Sequence, residues 1–250
     1  MKFTNLIFRI TLFSILILIS DGCNRNKDSV NKNCLVTKII SDDQTATITY
    51  DDQDRISLIT VQVGPDQSRT INVSYATNGT ATIVETDEFN DEYVYTVSVN
   101  ANGQVTGMDG GAYTLDFTYT GTSDFFTTAD GNAVTWSNGN ITRIEDDYGT
   151  YEMTYDNTNN PYFENYPLLF KSDLIGMAYF AVFSKNNITG GSLTLKNPDP
   201  GLAGAITWTQ TYTYNDFFLP TSVIFTATIP YQDQAPEVVT VTTSFEYACK

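Results

Sequence analysis

Tyr50-Asp51-Asp52-Gln53-Asp54-Arg55-Ile56 decides the fold, because an aromatic residue closes one alternating strand, turn-forming residues follow, and an aliphatic residue opens the next strand. Looser variants of the same sequence run along the chain. They are Val99-Asn100-Ala101-Asn102-Gly103-Gln104-Val105, Trp136-Ser137-Asn138-Gly139-Asn140-Ile141, Tyr155-Asp156-Asn157-Thr158-Asn159-Asn160-Pro161 and Tyr214-Asn215-Asp216-Phe217-Phe218-Leu219. Repeated in this way, the pattern predicts consecutive antiparallel hairpins. It fixes how the chain folds and offers no chemistry.

Alternation of period 2 fills the segments between these turns and is the primary strand signal. Ile71, Val73 and Tyr75 share one face, as do Tyr93, Tyr95, Val97 and Val99, then Tyr113, Leu115, Phe117 and Tyr119. Ile206, Trp208, Tyr212 and Tyr214 follow, with Gln210 interrupting, and then Val239, Val241, Phe245 and Tyr247. The opposite face is mostly Thr, Ser, Asn, Asp and Glu, so one side of the sheet is dry and the other wet. Asn78-Gly79, Asn102-Gly103, Asp130-Gly131 and Asn138-Gly139 suit tight hairpin turns, which need positive φ. The fold class is therefore all-β, a long curved antiparallel meander of about 14–16 strands, barrel-like or open. One segment departs from it: Leu174, Ile175, Met177, Ala178, Phe180, Ala181 and Val182 recur at helical spacing after Ser172-Asp173, which predicts a short helix over 172–184. Asn197-Pro198-Asp199-Pro200-Gly201 reads as a loop.

Met1-Lys2, Arg9 and the apolar run Ile10–Ile19 form the basic and hydrophobic regions of an export signal, too short to cross a bilayer as a stable helix. The Ser20-Asp21-Gly22-Cys23 that follows resembles the lipobox of bacterial lipoproteins, with Ser20 and Asp21 standing where Leu and a small residue are usual. The resemblance implies lipidation of Cys23, a signal peptide over 1–22 and attachment to a membrane through the N-terminal lipid. Residues 23–33 then form a polar flexible tether, and 34–250 a single domain long enough to bury a core. Cys34 and Cys249 lie at opposite ends of that domain. An even pair in an oxidising compartment predicts a disulfide between the first and last strands, the alternative being two buried free thiols.

A net charge of −16 and a pI near 4.1, without basic clusters, exclude nucleic acid as a partner. The chain contains no histidine, which removes His-based triads, His-containing zinc sites and the commonest neutral-pH base, and no cofactor is expected. Paired carboxylates are the remaining catalytic option, with Glu152 and Asp116 as first suspects because aromatics flank them. Alternation points both to solvent. The acidic stretches Asp51–Asp54 and Asp87–Glu92 have the oxygen density for calcium but lack the patterned spacing, so they read as acidic turns. Carbohydrate binding is the third option, through an aromatic stripe of Tyr50, Trp136 and Tyr155, with Tyr214 at the equivalent position. Trp208, Tyr212 and Tyr214 also read as core.

Tyr50-Asp51 followed by Arg55-Ile56 resembles the Tyr-Asp-x-x-Gly-Arg-Leu/Ile core of Rhs-type YD repeats, with Asp54 in place of the usual Gly. The lipobox, a Cys before the first strand, the aromatic-Asx hairpins, Asn160-Pro161-Tyr162 before the helical segment and Ser184-Lys185-Asn186-Asn187 after it together resemble a Bacteroidetes lipoprotein family of unknown function with a porin-like domain. That resemblance covers most of residues 34–249. It implies a strongly curved antiparallel sheet in a soluble protein and no particular activity.

A membrane-spanning barrel is disfavoured, since several strands run only five to seven residues where about nine to eleven are needed. The expectation is thus an outer-membrane lipoprotein that acts without catalysis, binding a glycan or an envelope protein or peptide. A purely structural envelope role is the alternative, and a carboxylate-based glycoside hydrolase a more distant one. Solvent-facing Trp136 and Tyr155 in a groove favour glycan binding, and burial of both favours the structural role.

Overall fold

A computed structural model describes residues 34–249 apart from 42–43, 66, 78–79, 101–104, 111–113, 120–125, 130–131, 160–183 and 199–200. The helical segment expected at 172–184 lies outside the described residues, as do the turn pairs Asn78-Gly79, Asn102-Gly103 and Asp130-Gly131.

The described chain is a meander of β1 (Cys34–Ser41), β2 (Gln44–Tyr50), β3 (Ile56–Val63), β4 (Gln67–Tyr75), β5 (Ala81–Thr86), β6 (Glu92–Val99), β7 (Val105–Asp109) and β8 (Thr114–Tyr119), continuing through β9 (Phe126–Ala129), β10 (Asn132–Ser137), β11 (Asn140–Glu145), β12 (Gly149–Asn159), β13 (Asn186–Leu195), β14 (Ile206–Tyr214), β15 (Pro220–Ile229) and β16 (Glu237–Cys249). Each strand pairs antiparallel with the next. β16 pairs in turn with β1, so the sheet closes into a barrel and leaves no free edge among the described strands. The all-β meander read from the sequence is therefore what forms, at the upper end of the expected strand number and closed rather than open.

Alternation decides which side chains line the lumen. Ile39, Ala46, Ile48, Ile59, Val61, Ile83, Val97, Ile141, Phe225 and Phe245 point inward and are buried, and the lining residues form one continuous apolar cluster that draws on every strand. Outward positions are dominated by threonine: Thr45, Thr47 and Thr49 on β2, then Thr207, Thr209, Thr211 and Thr213 on β14. Threonine keeps the β-branch that suits a pleated surface and adds a hydroxyl that suits water. A bilayer-crossing barrel needs the reverse, an apolar outer band around a polar lumen.

Because the meander alternates direction, even-numbered strands all end, and odd-numbered strands all begin, at the same rim. Cys34 and Cys249 lie there, face each other across the β1–β16 pairing and form a disulfide, as the even pair predicted. We call this the disulfide rim, and the other the far rim. All five aromatic- or Val-led turn sequences, from Tyr50 to Tyr214, fall on the disulfide rim, at the exits of β2, β6, β10, β12 and β14.

The reason for the repeat is a bulge. Where Tyr50 pairs with Ile56 and Thr49 with Leu58, Ser57 is left over, and its hydroxyl donates to the Thr49 carbonyl at 3.2 Å. The same extra residue recurs as Thr106, Thr127, Thr142 and Thr221, which donate to the carbonyls of Ser98, Thr118, Thr135 and Thr213 at 3.2–3.3 Å. Thr189 occupies this position against Thr154, with the two hydroxyls 3.2 Å apart. A bulge leaves one residue out of the ladder and sharpens the local twist, which helps to curl a sheet until it closes. Ser or Thr is the residue that can fill it, since a short hydroxyl reaches the neighbouring carbonyl.

Turn chemistry follows local backbone demands. Asp51 accepts the N–H groups of Gln53 and Arg55 at 2.8 and 2.9 Å, and Asn215 accepts those of Phe217 and Leu219 at 2.9 and 3.0 Å. On the far rim Asp87 does the same for Phe89 and Asp91, both at 2.9 Å. Each of these turns places its fourth residue in the left-handed region: Asp54 at φ 60°, Phe218 at 59° and Asn90 at 64°. A glycine is favoured there, and this chain places Asp, Phe and Asn instead. Asn138 and Gly139 have φ of 52° and 81°, the two positive values that a type I′ hairpin turn requires.

Candidate functional site

Tyr50, Trp136 and Tyr155, the residues proposed from sequence as a sugar-stacking stripe, share the disulfide rim and face inward. All three are half-buried and pack against the barrel core. Their polar atoms turn to the main chain: Tyr50 donates to the Val36 carbonyl at 2.8 Å, Trp136 Nε1 to the Phe126 carbonyl at 2.7 Å, and Tyr155 to the Ile141 carbonyl. Tyr75, Tyr119 and Tyr247 repeat the contact on the carbonyls of Ile56, Val105 and Pro220 at 3.1, 2.9 and 2.7 Å. In every case the acceptor lies within the first three residues of the preceding odd-numbered strand. An aromatic at the exit of one hairpin thus fastens its entrance. Trp136 is further held by an edge-on Phe126 ring at 5.3 Å.

The girdle changes character between β11 and β14. Tyr214 turns instead to the Asp156 carboxylate at 2.8 Å and accepts from Asn187 Nδ2 at 3.0 Å, while Asp156 also accepts the N–H groups of Thr158 and Asn187 at 2.9 and 3.2 Å. Ser184 donates to the Tyr155 hydroxyl at 2.9 Å and accepts from Ile141 N–H at 3.1 Å. Asn140 Nδ2 donates to Asn186 Oδ1 at 3.0 Å, and its own oxygen accepts Asn186 N–H at 2.8 Å. This network draws together the end of β12 and the start of β13. The network gives Ser184, Asn186 and Asn187 a physical role in holding these strand ends.

Burial raises the pKa of the Tyr155, Tyr212 and Tyr214 hydroxyls, and for Tyr214 the adjacent Asp156 pushes the same way. These groups are neutral donors at ordinary pH. What the arrangement does chemically is clamp, because each hydroxyl already serves a carbonyl or carboxylate of the fold. Sequence reading missed Asp156 and Asn187 as a pair, since nothing in their spacing shows that β12 and β13 bring them together.

The two suspected catalytic carboxylates, Glu152 and Asp116, are exposed on the outer surface, on β12 and β8 respectively. Asp51 is committed to its turn and to Arg55, whose guanidinium lies 2.6 Å from the carboxylate and 4.0 Å over the Tyr75 ring. Backbone and side-chain hydrogen bonds from Gln53 and Arg55 hold the Asp51 carboxyl below its usual range, outweighing the desolvation that opposes them. Among the described residues no group of three or more Asp, Glu, Cys or His side chains is assembled to hold a metal ion.

One polar row lies inside the barrel. Gln44, Ser41 and Thr243 are lateral neighbours on β2, β1 and β16, all buried, and Ser41 Oγ, Gln44 Oε1 and Thr243 Oγ1 lack a hydrogen-bond partner among the described residues. Arg69 and Glu85 also point inward, 3.9 Å apart.

No protein-family model and no curated relative matches the chain. Among solved structures, a porin-like protein from Bacteroides uniformis is similar with a TM-score of 0.54 at 19% identity, over 85% of this chain and 96% of that one. A porin-like protein from Bacteroides vulgatus aligns over 85% of this chain and 98% of that one, at 11% identity and a TM-score of 0.28. The first likeness shows the fold: this chain has the barrel architecture of a porin-like protein from Bacteroides.

Proposed function

We propose that this protein is a non-catalytic component of the cell envelope, exported and held at the outer membrane by a lipid on Cys23, with residues 34–250 as its single domain. The observation that carries the reading is the sense of the barrel. An apolar lining and a threonine-rich outer wall suit a water-surrounded body that depends on a separate anchor. Residues 1–22 as a signal peptide and Cys23 behind Gly22 supply that anchor.

Of the two non-catalytic roles, the structural one has more support. Tyr50, Trp136 and Tyr155 spend their polar atoms on main-chain carbonyls and their rings on the core, which leaves little of them for stacking on a sugar. The protein then works by presenting its turns and outer wall to an envelope partner. Exposure of Glu152 and Asp116 on that outer wall supports the non-catalytic reading.

The test is a binding screen with the form that begins at Asn24, against glycan arrays and solubilised envelope proteins. Capture of a specific envelope protein without any glycan supports the structural role. Micromolar glycan binding abolished by Trp136→Ala in a folded variant overturns it. Intact mass of protein extracted from membranes reads the anchor, and a mature chain without acyl groups on Cys23 overturns that part.

A further inference from the structure

The turn Asn215-Asp216-Phe217-Phe218-Leu219 carries an exposed apolar tip. Phe217 is 41% exposed and Phe218 67%, and among the described residues they are the exposed large apolar side chains at the disulfide rim. Phe218 sits at φ 59°, the place that Asp54 and Asn90 take in the turns of the same build. A bulky residue is disfavoured in that region, and exposure denies it compensating burial. Folding alone would favour Gly or Asn there.

Position supplies the partner. β15 begins at this turn and is separated from β1 by β16 alone, so two strand spacings, about 10 Å, divide it from Cys34 along the rim. Residues 24–33 join Cys34 to Cys23 and span at most roughly 35 Å when fully extended. A lipid on Cys23 is thus joined directly to the disulfide rim, and the far rim stands farther from it by the length of β1, up to about 27 Å. The far rim has exposed aromatics too, but Phe89 and Tyr93 stand among Asp87, Glu88, Asp91 and Glu92, and Tyr148 follows Asp146-Asp147. Carboxylates resist transfer into a membrane interface. Within its own turn, residues 215–219, the Phe217-Phe218 tip has one carboxylate, Asp216.

We propose that the Phe217-Phe218 tip is a membrane-docking element that inserts into the headgroup region of the bilayer in which Cys23 is anchored. The inference rests on the anchor in the proposed function. Two shallow aromatics do not bind a membrane unaided, but next to a covalent lipid they act as the second contact that fixes orientation, because the anchor holds them at high local concentration over the surface.

The experiment uses the full chain, extracted from membranes and reconstituted into phosphatidylcholine vesicles with brominated acyl chains, which quench tryptophan on contact. Phe218→Trp and Phe217→Trp are compared with Tyr148→Trp on the far rim and with the parent, whose Trp136 and Trp208 give the background. Intact mass first establishes acylation of Cys23. We expect quenching of the position-218 or position-217 tryptophan at least twofold above both Tyr148→Trp and the parent. Acylated protein with equal quenching at both rims overturns the docking element while leaving the anchor standing. Absence of acyl chains overturns the anchor and the docking element together.

Discussion

Thr37 donates its hydroxyl to the main-chain carbonyl of Glu246 at 3.3 Å, although 209 residues separate them. Thr142 does the same to Thr135 at 3.3 Å across only 7 residues. The seam between β16 and β1 thus has the bulge of an internal junction, with Thr37 as the extra residue, Tyr247 as the exit aromatic and Val36 as the opening aliphatic. The disulfide stands where a turn would otherwise run.

If the seam is an ordinary junction closed by a covalent link, the link matters through the chain entropy it removes. Closing a sequence separation of 215 corresponds to roughly 5 kcal/mol in the loop-entropy model. Cys34→Ala with Cys249→Ala is expected to lose about 3–5 kcal/mol in urea unfolding while keeping the β-sheet circular dichroism of the parent. A circular permutant that joins 249 to 34 by a short turn and opens at Asn138-Gly139 is expected to recover most of that loss. A permutant that does not fold would show that the seam is not equivalent to the other junctions.

Each girdle aromatic satisfies a carbonyl that the bulge geometry exposes. Trp136→Phe keeps the ring and removes the donor to Phe126, and Tyr50→Phe removes the donor to Val36. The cost of an unpaired, largely buried acceptor is about 1–2 kcal/mol per site. Urea midpoints should therefore fall for each single variant, and losses at these two well-separated sites should add. Changes below about 0.3 kcal/mol would mean that water replaces the side chain without penalty and that the girdle is not structural.

Much of this architecture was legible in the chain because period-2 alternation and exit aromatics report directly on a two-faced sheet. Tyr75, Val97 and Phe117 all fall on the face the pattern assigns them. Closure was only partly legible, since pairing of β1 with β16 is a long-range event that the two cysteines alone announced. The contacts of the aromatics were only partly legible for a related reason. Alternation put Tyr50, Trp136 and Tyr155 at equivalent hairpin positions but could not say which main-chain carbonyls their polar atoms reach, because the bulging Ser or Thr on the neighbouring strand is visible only once register is known.

Asp54 is a residue in a backbone state that Gly adopts without cost. Its φ of 60° predicts that Asp54→Gly gains about 0.5–1 kcal/mol, less whatever the more flexible unfolded chain takes back. Thermal unfolding at pH 7 checks it. A loss of stability would mean that the Asp54 side chain, not its backbone, is what the turn uses.

Alkaline pH should unfold the barrel cooperatively. Burial raises the hydroxyl pKa of Tyr151, Tyr155, Tyr214 and Tyr247 in the folded state above the value near 10 of an unfolded chain. A raised folded pKa means that the native state binds the proton more tightly, so the stability is fully present below pH 10 and is lost as pH climbs beyond it. Tyrosinate absorbance of these groups should therefore appear together with loss of circular dichroism. Tyr155→Phe should lower the slope of stability against pH above 10 by about 1.4 kcal/mol per unit, one proton's worth. Separate, non-cooperative titration of all tyrosines below pH 11 with the sheet intact would contradict the buried girdle.

Inside the lumen, Ser41, Gln44 and Thr243 form the polar row that an apolar barrel has least reason to keep. A buried hydroxyl without a partner costs about 1–3 kcal/mol, and an apolar group of the same shape avoids that cost. Valine matches threonine closely in volume, and position 243 lies on a strand where its β-branch is favoured. Thr243→Val is therefore expected to leave stability unchanged or raise it by up to about 2 kcal/mol, and Ser41→Ala to behave alike with a small subtraction for lost contacts. Gln44 is different: replacing it by Leu also removes an amide N–H₂, so a gain there would show that neither end of the amide holds anything in the native barrel. A loss of more than about 1 kcal/mol in Thr243→Val would reverse the reading, because it would mean that the hydroxyl serves a bound water or ligand bridging β16, β1 and β2 at the seam.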